Sequence, residues 1–128
     1  MIVLDASVLI GHLDARDPHH ARATALLLAS QAEPLGASAI TLAEILAAPA
    51  RAKRLDEARA ALERLGVREL GLGEDAPARL AELRAASGRK LPDCCVLAAA
   101  QDHGGSVASF DADLRKAARK LRLGVIDA

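Results

Sequence analysis

Aromatic residues are almost missing from this chain: among 128 residues there is no Trp, no Tyr and a single Phe, Phe110. Base stacking on rows of aromatic rings, the common sequence-tolerant grip on single-stranded nucleic acid, is therefore nearly excluded. An excess of charge of either sign is missing as well. Lys plus Arg and Asp plus Glu both number 17, giving a formal net charge of +0. Long-range attraction of the whole molecule to a polyanion is unavailable, and any nucleic-acid contact must come from a local basic patch. The two cysteines, Cys94 and Cys95, are adjacent, which suits neither a disulfide framework nor a zinc-ligand pair. They read as packing residues in a reducing, cytoplasmic setting. No apolar run approaches the ~18 residues of a membrane helix. Asp5 also interrupts the first apolar stretch, which lacks the basic start of a signal peptide. A soluble protein with no membrane attachment is expected.

What the chain does have is 52% hydrophobic residues, rich in Ala and Leu, in short apolar runs alternating with helical patterns. Residues 1–128 fit one domain. "IVL" reads as a strand, followed by a short helix through "ASVLIGHL". Asp17-Pro18 opens a second helix through "HHARATALLLASQA". "PLGASA" carries the next strand and leads into the helix "ITLAEILAA", which Pro49 is expected to terminate. "RLDEARAALERLG" and "EDAPARLAELRAASG" are helices ending in glycine, with the weak strand "VREL" between them. "PDCCVLAAAQDHGG" is a buried helix, "SVAS" a strand, "FDADLRKAARKL" a loop then a helix, and "GVIDA" a last strand. Strand and helix alternate about five times, which implies an α/β fold: a parallel sheet with helices on both faces. Such sheets bind ligands at the carboxyl ends of their strands.

Acids gather at those ends. Asp5 follows the first strand, Glu44 lies in the helix after the second, Asp93 opens the buried helix, and Asp111 and Asp113 follow "SVAS". Taken singly, Asp5 and Asp111 read as helix N-caps and Asp93 as a complement to its helix dipole. Glu44 resists that treatment. Its neighbours at helical spacing are Ile40, Thr41, Ala47 and Ala48, none of them a cation. One divalent cation would account for all of these acids together. Hard oxygen ligands from separate segments suit Mg²⁺ or Mn²⁺. Uncompensated, carboxylates ~5 Å apart repel by roughly 3 kcal/mol per pair at an effective dielectric near 20. One or two divalent ions would relieve that repulsion, activate a water and neutralise a phosphodiester.

At "IVLDASVLI", "SAITLAEIL", "LPDCCVLAAA" and "ASFDADL" the chain resembles the four acidic motifs of the PIN-domain ribonucleases, and within them the VapC-type toxins of bacterial toxin–antitoxin pairs. The resemblance runs from Ile2 to about Leu114. It implies a three-layer α/β/α sandwich around a parallel sheet of five strands. It also implies acids that bind Mg²⁺ or Mn²⁺ and hydrolysis of RNA phosphodiesters leaving a 5′-phosphate. The acidic positions fall on Asp5, Glu44, Asp93 and Asp111, with Asp113 as an auxiliary. Ser7 matches the small hydroxyl residue accompanying the first acid. Thr41 stands one turn before Glu44 in the usual arrangement, and a positioning role is expected of both. A cognate antitoxin and a homodimer are likewise implied.

Three further readings concern the rest of the chain. "RKAARKLR" (Arg115 to Arg122) starts beside Asp111 and offers Arg115, Lys116 and Arg119 as a phosphate track; Arg89 and Lys90, just before Asp93, are candidates for the same work. "RAKR" (Arg51 to Arg54) is by default a solvated helix face. His12, His19, His20 and His103 read as surface residues rather than metal ligands. Two other functions stay open: a phosphatase or phosphotransferase using an aspartyl nucleophile in "DAD" (Asp111 to Asp113), and a non-catalytic RNA- or protein-binding domain on the same fold.

Overall fold

Side-chain alternation decides how each strand of this chain is buried. In a computed structural model that describes residues 1–126, β1 (Ile2–Leu4) turns Val3 to one side of a sheet and Ile2 and Leu4 to the other. Val3 packs with Val107, Leu83, Leu97 and Leu114 in one core. Ile2 and Leu4 pack with Val8, Leu9, Leu26, Leu35, Ile45 and Leu62 in a second core on the opposite face. A strand apolar on both faces is what a parallel sheet covered twice requires.

The strands are β1, β2 (Leu35–Ser38), β3 (Val67–Leu70), β4 (Ser106–Ala108) and β5 (Gly124–Ile126), all parallel, in the order β3-β2-β1-β4-β5. The helices α1 (Ala6–Leu13), α2 (His20–Ala29), α3 (Ala39–Arg51) and α4 (Leu55–Leu65) feed the second core. The helices α5 (Ala76–Ser87), α6 (Leu91–His103) and α7 (Ala112–Lys120) feed the first. The expected three-layer α/β/α sandwich is therefore observed, with α6 buried from Cys94 to Ala100. β2 and β3 extend the sheet to one side of β1 and β4 and β5 to the other. The strand order thus reverses between β1 and β4, and the crevice at the ends of such a strand pair is where open α/β sheets bind ligands.

Local chemistry explains most boundaries. Ser38 ends β2 and caps α3, accepting the Thr41 N–H at 3.1 Å. Gly36 lets β3 approach: a Cβ there would lie 2.8 Å from Leu70. Pro49 does not end α3, which runs on to Arg51. So close to the helix end the proline removes a single internal donor. The flanking carbonyls still find partners, Ala52 N–H on Ala48 at 3.1 Å and Arg54 N–H on Pro49 at 2.8 Å. The last strand reaches Ile126; Asp127 and Ala128 of "GVIDA" lie outside the described residues.

The histidines also differ from the surface reading. His20 Nδ1 donates to the Gly11 carbonyl at 2.9 Å and His12 Nδ1 meets Thr24 Oγ1 at 3.0 Å. Both rings are half-buried and tie α1 to α2; His103 alone is fully exposed. Cys94 and Cys95 are buried and unbridged, and burial pushes both thiols upward, as packing residues should be. Among the described residues no helix is long and apolar enough to cross a membrane.

Candidate functional site

Asp5 stands at the strand reversal. Its N–H bonds the Ala108 carbonyl of β4 at 3.0 Å, and its own carbonyl accepts from Val8 and Leu9 as α1 begins. It occupies the N-cap position, yet its side chain caps nothing. Instead Oδ2 accepts two hydroxyls, Ser7 Oγ at 2.8 Å and Ser109 Oγ at 2.7 Å. Each serine oxygen is in turn loaded by a backbone amide, Phe110 N–H on Ser7 and Asp111 N–H on Ser109, both at 3.0 Å. With a lone pair so occupied, each hydroxyl proton is directed at Asp5. The aspartate is only 9% exposed and Ser109 only 1%.

Ser109 is the residue that sequence reading passed over. Its signal was its place, first after β4 and directly across the reversal from Asp5.

Asp111 does two things at once. Its Oδ1 caps α7, accepting the N–H groups of Asp113 at 2.9 Å and Leu114 at 3.3 Å. Its Oδ2 receives Arg89 Nη2 at 3.2 Å. Asp93, in the first turn of α6, accepts Arg89 Nε at 3.1 Å and Nη2 at 2.9 Å on a single oxygen, Oδ2. Burial raises the pKa of Asp93; the Arg89 bond opposes that shift, and the charges of Asp5 and Asp111 reinforce it. Glu44 on α3 is exposed, but its pKa is raised by partial burial first and then by the charges of Asp5 and Asp93. The sequence-predicted acids thus feel one another across four separate elements. Asp113 is peripheral, 77% exposed and 3.8 Å from Arg89 Nη1.

Arg89 is the main departure from expectation. Rather than standing free for a substrate backbone, its guanidinium pairs with Asp93, Asp111 and Asp113. Arg115 is also committed, donating from Nη1 to the Ser109 carbonyl at 3.0 Å and so bracing the loop that carries Asp111. Lys90, Lys116 and Arg119 are exposed. A cleft of about 270 Å³ between α5 and α7 is lined by Ser87, Arg89, Asp113, Lys116 and Lys120 among others. Thr41 is fully buried and takes the Ser38 hydroxyl at 3.1 Å, so it serves the start of α3. Beyond Glu44 a groove of about 760 Å³ opens between α1, α3 and α4, walled by Ile10, Leu13, Ile45, Pro49 and Ala61.

These carboxylates are the oxygen donors that a hard divalent ion takes, and their mutual repulsion favours one. The donor set therefore fits such an ion in kind. As the side chains stand, no three Asp, Glu, His or Cys among the described residues are grouped to hold a metal, and Arg89 bridges Asp93 and Asp111 instead.

The family profile of the PIN domain matches residues 2–120. The chain belongs to the PIN-domain family. This PIN domain is also similar to solved structures. One is a toxin–antitoxin complex from Klebsiella pneumoniae, at 23% identity and TM-score 0.72, covering 99% of this chain and 97% of that one. Another is VapC20 of Mycobacterium tuberculosis, a sarcin-ricin loop cleaving toxin, at 24% identity and TM-score 0.73, covering 91% and 95%. FitAcB of Neisseria gonorrhoeae follows at 25% identity and TM-score 0.70, covering 99% and 97%. A search of curated proteins found no match. Family and fold agree with the resemblance carried by the four acidic motifs.

Proposed function

We propose that this PIN domain is a metal-dependent endoribonuclease, the toxin of a type II toxin–antitoxin pair. One observation carries the reading: Asp93 and Asp111, from separate elements, come close enough to share the Arg89 guanidinium, at 2.9 and 3.2 Å, and their like charges oppose one another beside Asp5 and Glu44. A binding module has no use for that repulsion, whereas a divalent ion relieves it. Asp5, Glu44, Asp93 and Asp111 would hold Mg²⁺ or Mn²⁺, with Asp113 assisting. The bound ion supplies a polarised water and neutralises charge on the phosphodiester. The chain's own part is positional. Ser7 and Ser109 fix Asp5 in one orientation, the α7 cap fixes Asp111, and Thr41 secures the helix that carries Glu44. Lys90 and Lys116 lie exposed, and with Arg119 they are the candidates for contact with the RNA backbone. An aspartyl nucleophile at Asp111 is disfavoured, because both its oxygens already accept hydrogen bonds.

Residues 1–128 are read as one domain, working in the cytoplasm. The Klebsiella relative is a toxin–antitoxin complex, which supports a cognate antitoxin; a homodimer follows from the resemblance alone. The deciding experiment incubates purified protein with mixed RNA and Mn²⁺ or Mg²⁺, with and without chelator, beside Asp93→Asn. Cleavage should vanish with either chelator or substitution, a loss of about a hundredfold or more for the variant. Cleavage indifferent to both overturns the reading.

A further inference from the structure

Arg89 holds the strongest ion pairs at the site, and its surroundings are built to place it there. Gly88, at φ 69°, takes the left-handed conformation that ends α5 and turns the chain toward α6. The Arg89 N–H then donates to Ser87 Oγ at 3.1 Å, and its carbonyl accepts the Cys94 thiol at 3.6 Å. The backbone is held on both sides; the side chain is the part left to move. Its guanidinium is 23% exposed and reaches Asp93, Asp111 and Asp113 together. Two of its nitrogens converge on Asp93 Oδ2, and one of these also reaches Asp111.

We propose that Arg89 is a built-in competitor of the metal: it occupies Asp93 and Asp111 in the metal-free protein and leaves them when a divalent cation binds. This rests on the metal-dependent reading above. The competition follows from charge and from geometry. A guanidinium and a divalent ion both need the oxygens of Asp93 and Asp111, and Arg89 already holds Oδ2 of each, at 2.9 and 3.2 Å. Once displaced, the side chain remains tethered at the cleft between α5 and α7, beside Lys116 and Lys120. Release would thus turn a counter-ion of the acids into a cation at the rim of the site. The apparent metal affinity would be the intrinsic one multiplied by the fraction of molecules in which Arg89 is undocked.

The test measures binding, not cleavage. Mn²⁺ is titrated calorimetrically into metal-free full-length wild type, Arg89→Gln and Arg89→Lys. If Arg89 is docked about nine-tenths of the time, Arg89→Gln should bind Mn²⁺ about tenfold more tightly. Arg89→Lys keeps the charge but loses the forked contact, so it should bind more tightly by a smaller factor. Unchanged or weaker binding by both variants overturns the proposal. In parallel, the Arg89 Nε–H resonance of the wild type is followed during a Mg²⁺ titration. It should move with the same midpoint as metal binding; a signal unmoved at saturation overturns the proposal even if the variant affinities change. That spectrum also decides the matter should Arg89→Gln fail to fold. If no protein binds Mn²⁺, the metal-dependent reading falls and takes this one with it. If the wild type binds but Arg89 neither moves nor matters, only this one falls.

Discussion

Asp5 and Glu44 stand at the same edge of one sheet, where partial burial and then the charge of Asp5 raise the pKa of Glu44, yet the chain holds them in opposite ways. Asp5 leaves a central strand, is nearly buried, and is gripped on one oxygen by two serines that are themselves fixed by backbone amides. Glu44 rides an exposed helix face at the mouth of a groove. One acid is placed by a network; the other is placed by its helix and stands exposed.

Attacking the network should give the largest effect. Ser109→Val removes a buried donor from Asp5 and leaves the part-buried Asp111 amide without its partner, so it should destabilise the fold by about 2 kcal/mol in a denaturant titration. Ser7→Ala is milder because Ser7 is only half-buried; about 1 kcal/mol is expected. Glu44→Gln should change stability least, within about 0.5 kcal/mol as an exposed site. A Glu44→Gln loss equal to that of Ser109→Val would erase the distinction between the two acids.

The pH dependence sharpens the same comparison. Since the folded pKa of Glu44 lies above its ordinary 4.5, its contribution to stability is fully present below that value and is lost as pH rises through the folded pKa. Glu44→Gln, which cannot ionise, should therefore be at least as stable as wild type near neutrality without metal. The gap should close as pH falls through 4.5. Thermal melts at a series of pH values check this, and a gap that widens in acid would reverse the sign assigned to Glu44. Saturating Mn²⁺ should invert the order at neutral pH, because the metal stabilises only a fold that can bind it.

Much of this molecule was legible in its sequence, and apart from the helix end misplaced at Pro49 the failures have a common cause. The helix boundaries at Gly66 and Gly88, the buried run of α6 and the weak strand at Val67–Leu70 are all local patterns, and each is found as read. Asp5 and Asp111 stand out in the sequence because each comes soon after a strand, Glu44 and Asp93 because each is an acid in an apolar helix. Long-range partners were not visible. Nothing near Arg89 in sequence tells that its guanidinium also reaches Asp111, 22 residues on. Nothing near His12 announces Thr24 on the next helix. The compensation for the acidic cluster was sought outside the chain, while part of it stood four residues before Asp93. Asp111 shows why a modest reading and a bold one need not compete: one oxygen caps a helix and the other joins the cluster.

The bond from Ser109 to Asp5 joins residues 104 apart, and β1 lies between β2 and β4 in the sheet. The site is therefore complete only once β4 has been made and has docked beside β1. Until then one edge of β1 lacks its neighbour and Asp5 lacks half its grip. A product cut short before β4 would carry Asp5, Glu44 and Asp93 but neither Asp111 nor the Ser109 bond to Asp5. On the ribonuclease reading proposed above, a chain that lacks β4 would carry no complete site with which to act on RNA.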